Sequence, residues 1–201
     1  MVTIAVLALQ GDFREHVAVL HRLGAQAREV RTAADLSGVD GLIMPGGEST
    51  AICRLMDRWA LRGPILDLAK SGVPVWGTCA GLILLAKRIV DDPIQSLGLL
   101  DIDVRRNAYG RQVDSFETEV PMRALGDPPM PAVFIRAPVI TRVGPDVEVL
   151  GSLPDGTPVA VREGNLLGSS FHPELTPDSR FHEYLITLAK EHVGLSNATA
   201  I

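Results

Sequence analysis

Residues 3–9, Thr-Ile-Ala-Val-Leu-Ala-Leu, form an apolar run with no polar face. A half-exposed strand would alternate, and a membrane span would need roughly 20 such residues, so the run predicts a strand covered on both sides. Phe13, Val17, Leu20 and Leu23 follow at helical spacing, with Gly24 as a stop. Gln26–Val30 and Gly41–Met44 read as further strands, the second running into Pro45-Gly46-Gly47. A helix is expected from Ser49 through Ile52, Leu55, Met56 and Trp59, another over 65–70, a strand over 73–78 and an apolar helix over 82–89. This rhythm predicts an α/β fold: a doubly wound, mostly parallel central sheet flanked by helices, with right-handed crossovers.

Past residue 100 the texture changes to short strands over 104–106, 115–120, 132–136, 147–152, 158–163 and 165–171. Gly144-Pro145-Asp146 and Pro154-Asp155-Gly156 are turn signals between them, so antiparallel strands are expected in the second half. A Pro-rich loop over 126–131 and a closing helix over 179–192 complete the pattern. With no repeat or linker, one domain over 1–201 is expected, with a frayed tail over 194–201.

Of 201 residues, 46% are hydrophobic and 21% charged, an ordinary globular composition, and the net charge is −5. A protein that grips phosphate backbones needs a basic surplus, so nucleic acid is disfavoured. Cys53 and Cys79 are the two cysteines, too few for a disulfide framework. The N-terminus lacks a basic leader segment and a small-residue cleavage site. No membrane association and a reducing, cytoplasmic location are therefore expected.

Three segments could carry chemistry. Gly77-Thr78-Cys79-Ala80-Gly81 lies between a predicted strand and a predicted helix. Small neighbours permit the sharp turn that lifts a nucleophile above a sheet edge, a helix start favours the thiolate, and the Ala80 N–H could face an oxyanion. The competing reading is a buried, inert cysteine beside a glycine turn. His172 ends a predicted strand in Phe171-His172-Pro173-Glu174, where Glu174 could hold one ring nitrogen and leave the other for Cys79. A plain surface His–Glu hydrogen bond is the alternative there. Pro45-Gly46-Gly47-Glu48-Ser49-Thr50 offers backbone N–H groups for an anion or second oxyanion donor, or is simply a turn capped by Ser49. Arg105, Arg106 and Arg111 cluster near Asn107, and Arg136 ends a strand; either site could fork onto a carboxylate. His16 and His21 lie five apart and make a poor metal pair, and Cys53 falls on an apolar stripe with Ile52 and Met56.

Together these segments resemble the glutaminase subunits of pyridoxal 5′-phosphate synthase, class I (triad-type) glutamine amidotransferases. The resemblance is carried by residues 7–11, Arg14-Glu15-His16, Gly46-Gly47-Glu48-Ser49-Thr50, Gly77-Thr78-Cys79-Ala80-Gly81, Arg106-Asn107-Ala108-Tyr109-Gly110-Arg111-Gln112, Asp114-Ser115-Phe116-Glu117, Phe134-Ile135-Arg136-Ala137-Pro138 and Phe171-His172-Pro173-Glu174. It implies a flavodoxin-like sheet and a Cys79–His172–Glu174 triad that hydrolyses L-glutamine through a thioester. It also implies oxyanion donors at Gly46, Gly47 and Ala80, and glutamine contacts from Gly47, Glu48, Ser49, Arg106, Ile135 and Arg136. No cofactor or metal is implied. The partner implied is a synthase subunit that receives the ammonia within a hetero-oligomer. A glutaminase serving another synthase, a thiol peptidase or deglycase, and a non-enzymatic regulatory subunit are the rival readings.

Overall fold

The computed structural model describes residues 1–90, 92–106 and 115–199. In chain order come β1 (Thr3–Leu7), α1 (Phe13–Arg22), β2 (Gln26–Val30), β3 (Gly41–Met44), α2 (Ser49–Arg58) and α3 (Arg62–Lys70). β4 (Val75–Thr78), α4 (Ala80–Leu85), β5 (Ala86–Ile89), β6 (Leu100–Arg105), β7 (Ser115–Val120) and β8 (Met130–Ile135) follow. The chain ends with β9 (Val139–Val143), β10 (Glu148–Ser152), β11 (Pro158–Glu163), β12 (Leu166–Ser169) and α5 (Arg180–Thr199).

Seven strands form the main sheet in the order β10-β11-β12-β4-β3-β1-β2. From β12 to β2 every pairing is parallel, while β11 pairs antiparallel with both β12 and β10. The expected α/β architecture with added antiparallel strands is what the chain adopts. Alternation explains the unbroken apolar strands. Ala5, Leu7, Leu42, Met44 and Val75 face one core with α2, α3 and α4. Ile4, Val6, Ile43 and Trp76 face the other, where Trp76 stacks on Phe181 of α5 with centroids 4.8 Å apart. Each fully buried aliphatic contributes about 1.5–3 kcal/mol, so these two layers hold the sheet between its helices. The remaining strands make two small sheets, β5-β6-β9 and β7-β8, which pack on opposite faces.

Several boundaries differ from the expectation. β1 stops at Leu7, so residues 8–12 form a loop at the sheet's C-terminal edge. The helix expected over 82–89 is six residues, Ala80–Leu85, followed at once by β5. Ala86 turns to ψ 147° and the chain pairs with β6; a short apolar run does not distinguish the two states locally. β9 was not expected at all. The closing helix continues to Thr199, so the tail expected from 194 is helical that far.

Candidate active site

Cys79 is the residue between β4 and α4, with φ 46° and ψ −101°. Its flanking glycines explain how the chain turns so sharply. A Cβ on Gly77 would lie 2.5 Å from the Gly81 carbonyl, and one on Gly81 would lie 1.9 Å from the Met44 carbonyl oxygen. Only bare backbone lets α4 start directly against β3 and β4. The Cys79 N–H donates to the Ser169 carbonyl at 2.8 Å, pinning the elbow to β12. Because α4 is so short, the electrostatic help its N-terminus gives a thiolate is smaller than a longer helix would supply.

His172 lies just past the end of the neighbouring strand, with an ordinary φ of −108°. β12 lies parallel beside β4 with Ser169 opposite Thr78, so Cys79 and His172 leave adjacent strands at the same edge. The His172 N–H is held by the Val133 carbonyl at 2.8 Å. Cys79 stands close enough to favour the charged form of the His172 imidazole, and Nδ1 lies 2.7 Å from Glu174 Oε1. Glu174 is buried in a single 3₁₀ turn, Pro173–Leu175, which makes the surface His–Glu alternative untenable. Burial opposes a charged imidazole, but the bonds and charges of Cys79 and Glu174 outweigh it and raise the His172 pKa to about 10. Burial also raises the Glu174 carboxyl, against the pull of its bond to His172. The arrangement favours an imidazolium beside the Cys79 sulfur at neutral pH.

One pocket of about 380 Å³ brings together Gly47, Glu48, Ser49, Cys79, Ala80, Arg106, Ile135, Arg136 and His172. Glu174 and Gly46 sit behind them. A Cβ on Gly46 would be 2.3 Å from His172 Cε1, so this glycine is the floor of the imidazole's slot. The Gly46 carbonyl accepts from the Asp12 N–H at 3.1 Å. Gly47 has φ 148°, and Glu48, not Ser49, caps α2: its carboxylate accepts from the Thr50 and Ala51 N–H groups at 3.1 and 2.7 Å. Desolvation works against that carboxylate, yet these bonds and Arg106 hold its pKa below the ordinary value.

Arg106 is fastened by Asp92 at 2.7 Å and approaches Glu48 at 3.3 Å. Arg136 lines the pocket with φ 44°, and the carbonyl oxygen of Ile135 lies 3.9 Å from Cys79 Sγ. Arg105 points to solvent, and Asn107 and Arg111 lie outside the described residues. Cys53 is buried in the core, as expected, and receives a hydrogen bond from Arg62 at 2.8 Å. Sequence reasoning gave no role to Gln10 and Asp12, which also line the pocket. Gln10 Oε1 accepts from the Glu48 N–H at 2.7 Å, and Asp12 Oδ2 stands 3.4 Å from His172 Nδ1. Their position just past β1, a parallel strand ending at the same edge, is the signal that could have found them. Asp12, His172 and Glu174 present ligand atoms within 4.8 Å of one another, but His172 and Glu174 are already joined by a hydrogen bond that a metal would have to break.

Among the described residues no helix is long and apolar enough to cross a membrane. A pyridoxal 5′-phosphate synthase subunit PdxT of Dehalococcoides mccartyi is 57% identical over 191 residues, covering 94% of this chain and 98% of that protein. One of the same name from Corynebacterium jeikeium is 55% identical over 190 residues, covering 94% and 97%. A crystal structure of a glutamine amidotransferase superposes with a TM-score of 0.88 at 49% identity, covering 93% of this chain and 98% of the other. Residues 6–191 match the model of the SNO glutamine amidotransferases, and the chain belongs to that family.

Proposed function

We propose that the chain hydrolyses L-glutamine to L-glutamate and ammonia as one glutaminase domain over residues 1–201, passing the ammonia to a pyridoxal 5′-phosphate synthase subunit for vitamin B6 synthesis. The observation that carries this reading is His172 joining Cys79 to a buried Glu174 beside a pocket of amino-acid size.

Cys79 attacks the side-chain amide carbon while His172 manages the proton and Glu174 keeps the ring aimed. N–H groups of Ala80 and of the Gly46-Gly47 turn face the oxygen that gains charge. His172 protonates the departing ammonia, and water then opens the γ-glutamyl thioester with the same imidazole as base. Gly47, Glu48, Ser49, Ile135 and the guanidinium groups of Arg106 and Arg136 hold the amino-acid end, with a guanidinium suited to the α-carboxylate. The chain needs no cofactor for these steps. Its two free cysteines suit a reducing compartment, and the hetero-oligomer with the synthase subunit works in the cytoplasm.

The test is glutamate release from glutamine by the chain with and without its cognate synthase. Cys79→Ala is expected to abolish release by the assembled complex while circular dichroism stays native. Wild-type turnover in that variant removes Cys79 from the reaction.

A further inference from the structure

Behind the triad, wholly out of contact with solvent, runs a second line of polar groups that hydrolysis as described does not use. His16 of α1 and His182 of α5 are both 0% exposed, beside Thr78 at the end of β4. His16 Nδ1 lies 2.9 Å from His182 Nε2. On its other side His16 Nε2 stands 3.3 Å from Thr78 Oγ1 and 3.4 Å from Glu174 Oε2. That carboxylate oxygen is buried and has no hydrogen-bond partner of good geometry, so His16 is the polar group that reaches it.

One set of tautomers serves the carboxylate. An ionised carboxylate only accepts, so it calls for a proton on His16 Nε2, the atom that also stands 3.3 Å from Thr78 Oγ1. A neutral imidazole then presents a lone pair at Nδ1, and His182 must donate to it from Nε2. His182 is left with a bare Nδ1, and that atom is one of the few buried side-chain atoms without a partner. An orphaned acceptor is the cheaper thing to leave there, and the chain of donors closes with one orientation.

We propose that His16 is a positioning residue for Glu174: it holds the second carboxylate oxygen so that the first stays on His172 Nδ1, and His182 fixes the His16 tautomer. The geometry shows why a hold is needed. Two carboxylates compete for Nδ1, Glu174 at 2.7 Å and Asp12 at 3.4 Å. Glu174 is buried while Asp12 is partly exposed, and a proton shared with Asp12 would turn the ring away from the geometry that serves Cys79. His16 reaches in from α1, an element that sequence reading connects to neither triad strand.

This inference rests on the Cys79–His172–Glu174 reading, and the experiment separates the two. Glutamine hydrolysis by the complex with its synthase is measured for wild type, Cys79→Ala, His16→Leu and His16→Gln. Gln keeps an N–H where His16 Nε2 stood; Leu does not. His16→Leu is expected to lose about tenfold or more in kcat with KM within about threefold, and His16→Gln to recover most of the loss. Turnover surviving Cys79→Ala overturns the triad and this inference with it. A dead Cys79→Ala beside a wild-type His16→Leu, or a His16→Gln no better than His16→Leu, overturns the inference alone. A readout free of variants is 15N NMR of the wild-type histidines. His16 and His182 are each expected as the neutral Nε2–H tautomer, and an Nδ1–H tautomer at His16 overturns the proposal.

Discussion

Cys79 holds backbone torsions that cost of order 1–3 kcal/mol, and the structure recovers them through packing that only its neighbours Gly77 and Gly81 permit. That is why the pentapeptide is readable: a cysteine between small neighbours at a strained turn leaves a compact mark in the sequence. His172 and Glu174 were readable for the same local reason, a histidine and a carboxylate two residues apart at a strand end. Gln10 and His16 fall in segments that carry the family resemblance, but no local feature gives them, Asp12 or His182 a role. Their roles exist only as contacts across the fold, and a lone histidine on a helix is locally indistinguishable from a core residue. Gly47 offers the sharpest test at this scale. With φ 148°, and a Cβ that would come within 2.6 Å of Gln10 Oε1 and 2.9 Å of Gly11 Cα, it has no room for a side chain. Gly47→Val is expected to cost about 1–3 kcal/mol in urea-unfolding stability, leaving a folded protein, yet about a hundredfold or more in kcat. A kcat within a few-fold of wild type contradicts an oxyanion role for this turn.

Elements are legible where several local signals coincide. β2, β3 and β11 were read to the residue, and β4 and α2 nearly so, because apolar pattern, glycine stops and turn residues agree there. The failures lie where pattern is silent. The stretch 82–89 is apolar enough to be helix or buried strand, and pairing with β6 decides for strand after Leu85. β9 follows Pro138 and carries Arg142, whose guanidinium is satisfied by Asp101 and Asp103 of β6, a long-range pairing no local window contains. The N-cap of α2 passed from Ser49 to Glu48 because a longer carboxylate can curl back onto two N–H groups at once. None of these differences moves the candidate site, since β4 and β12, the strands that lead into Cys79 and His172, are both legible and end at one edge.

For the whole molecule, the buried histidines set opposite pH limits. Burial, then the nearby His182 and His172, hold the His16 pKa well below 6.5; burial, then Arg22, lowers that of His182 to about 3. Both stay neutral in the native state while the unfolded chain takes up protons below 6.5. The stability they contribute is whole above that pH and drains as pH falls, by up to about 1.4 kcal/mol per pH unit for each. His172 acts in the other window: raised to about 10, its contribution is full below 6.5 and lost as pH climbs toward 10. Urea unfolding from pH 4 to 10 is expected to show greatest stability near 6.5–7. His182→Gln is expected to flatten the acid limb and spare the alkaline one, and an unchanged acid limb contradicts the assignment. The most direct measurement of the central claim uses the chain's own second cysteine as control. Cys53 is a buried thiol in the core, whereas Cys79 lines the pocket beside His172. An electrophilic glutamine analogue followed by peptide mass spectrometry is expected to place the adduct on Cys79 alone, with its formation lost in His172→Asn. An adduct on Cys53, or labelling of Cys79 at the same rate without His172, would contradict a thiol armed by that imidazole.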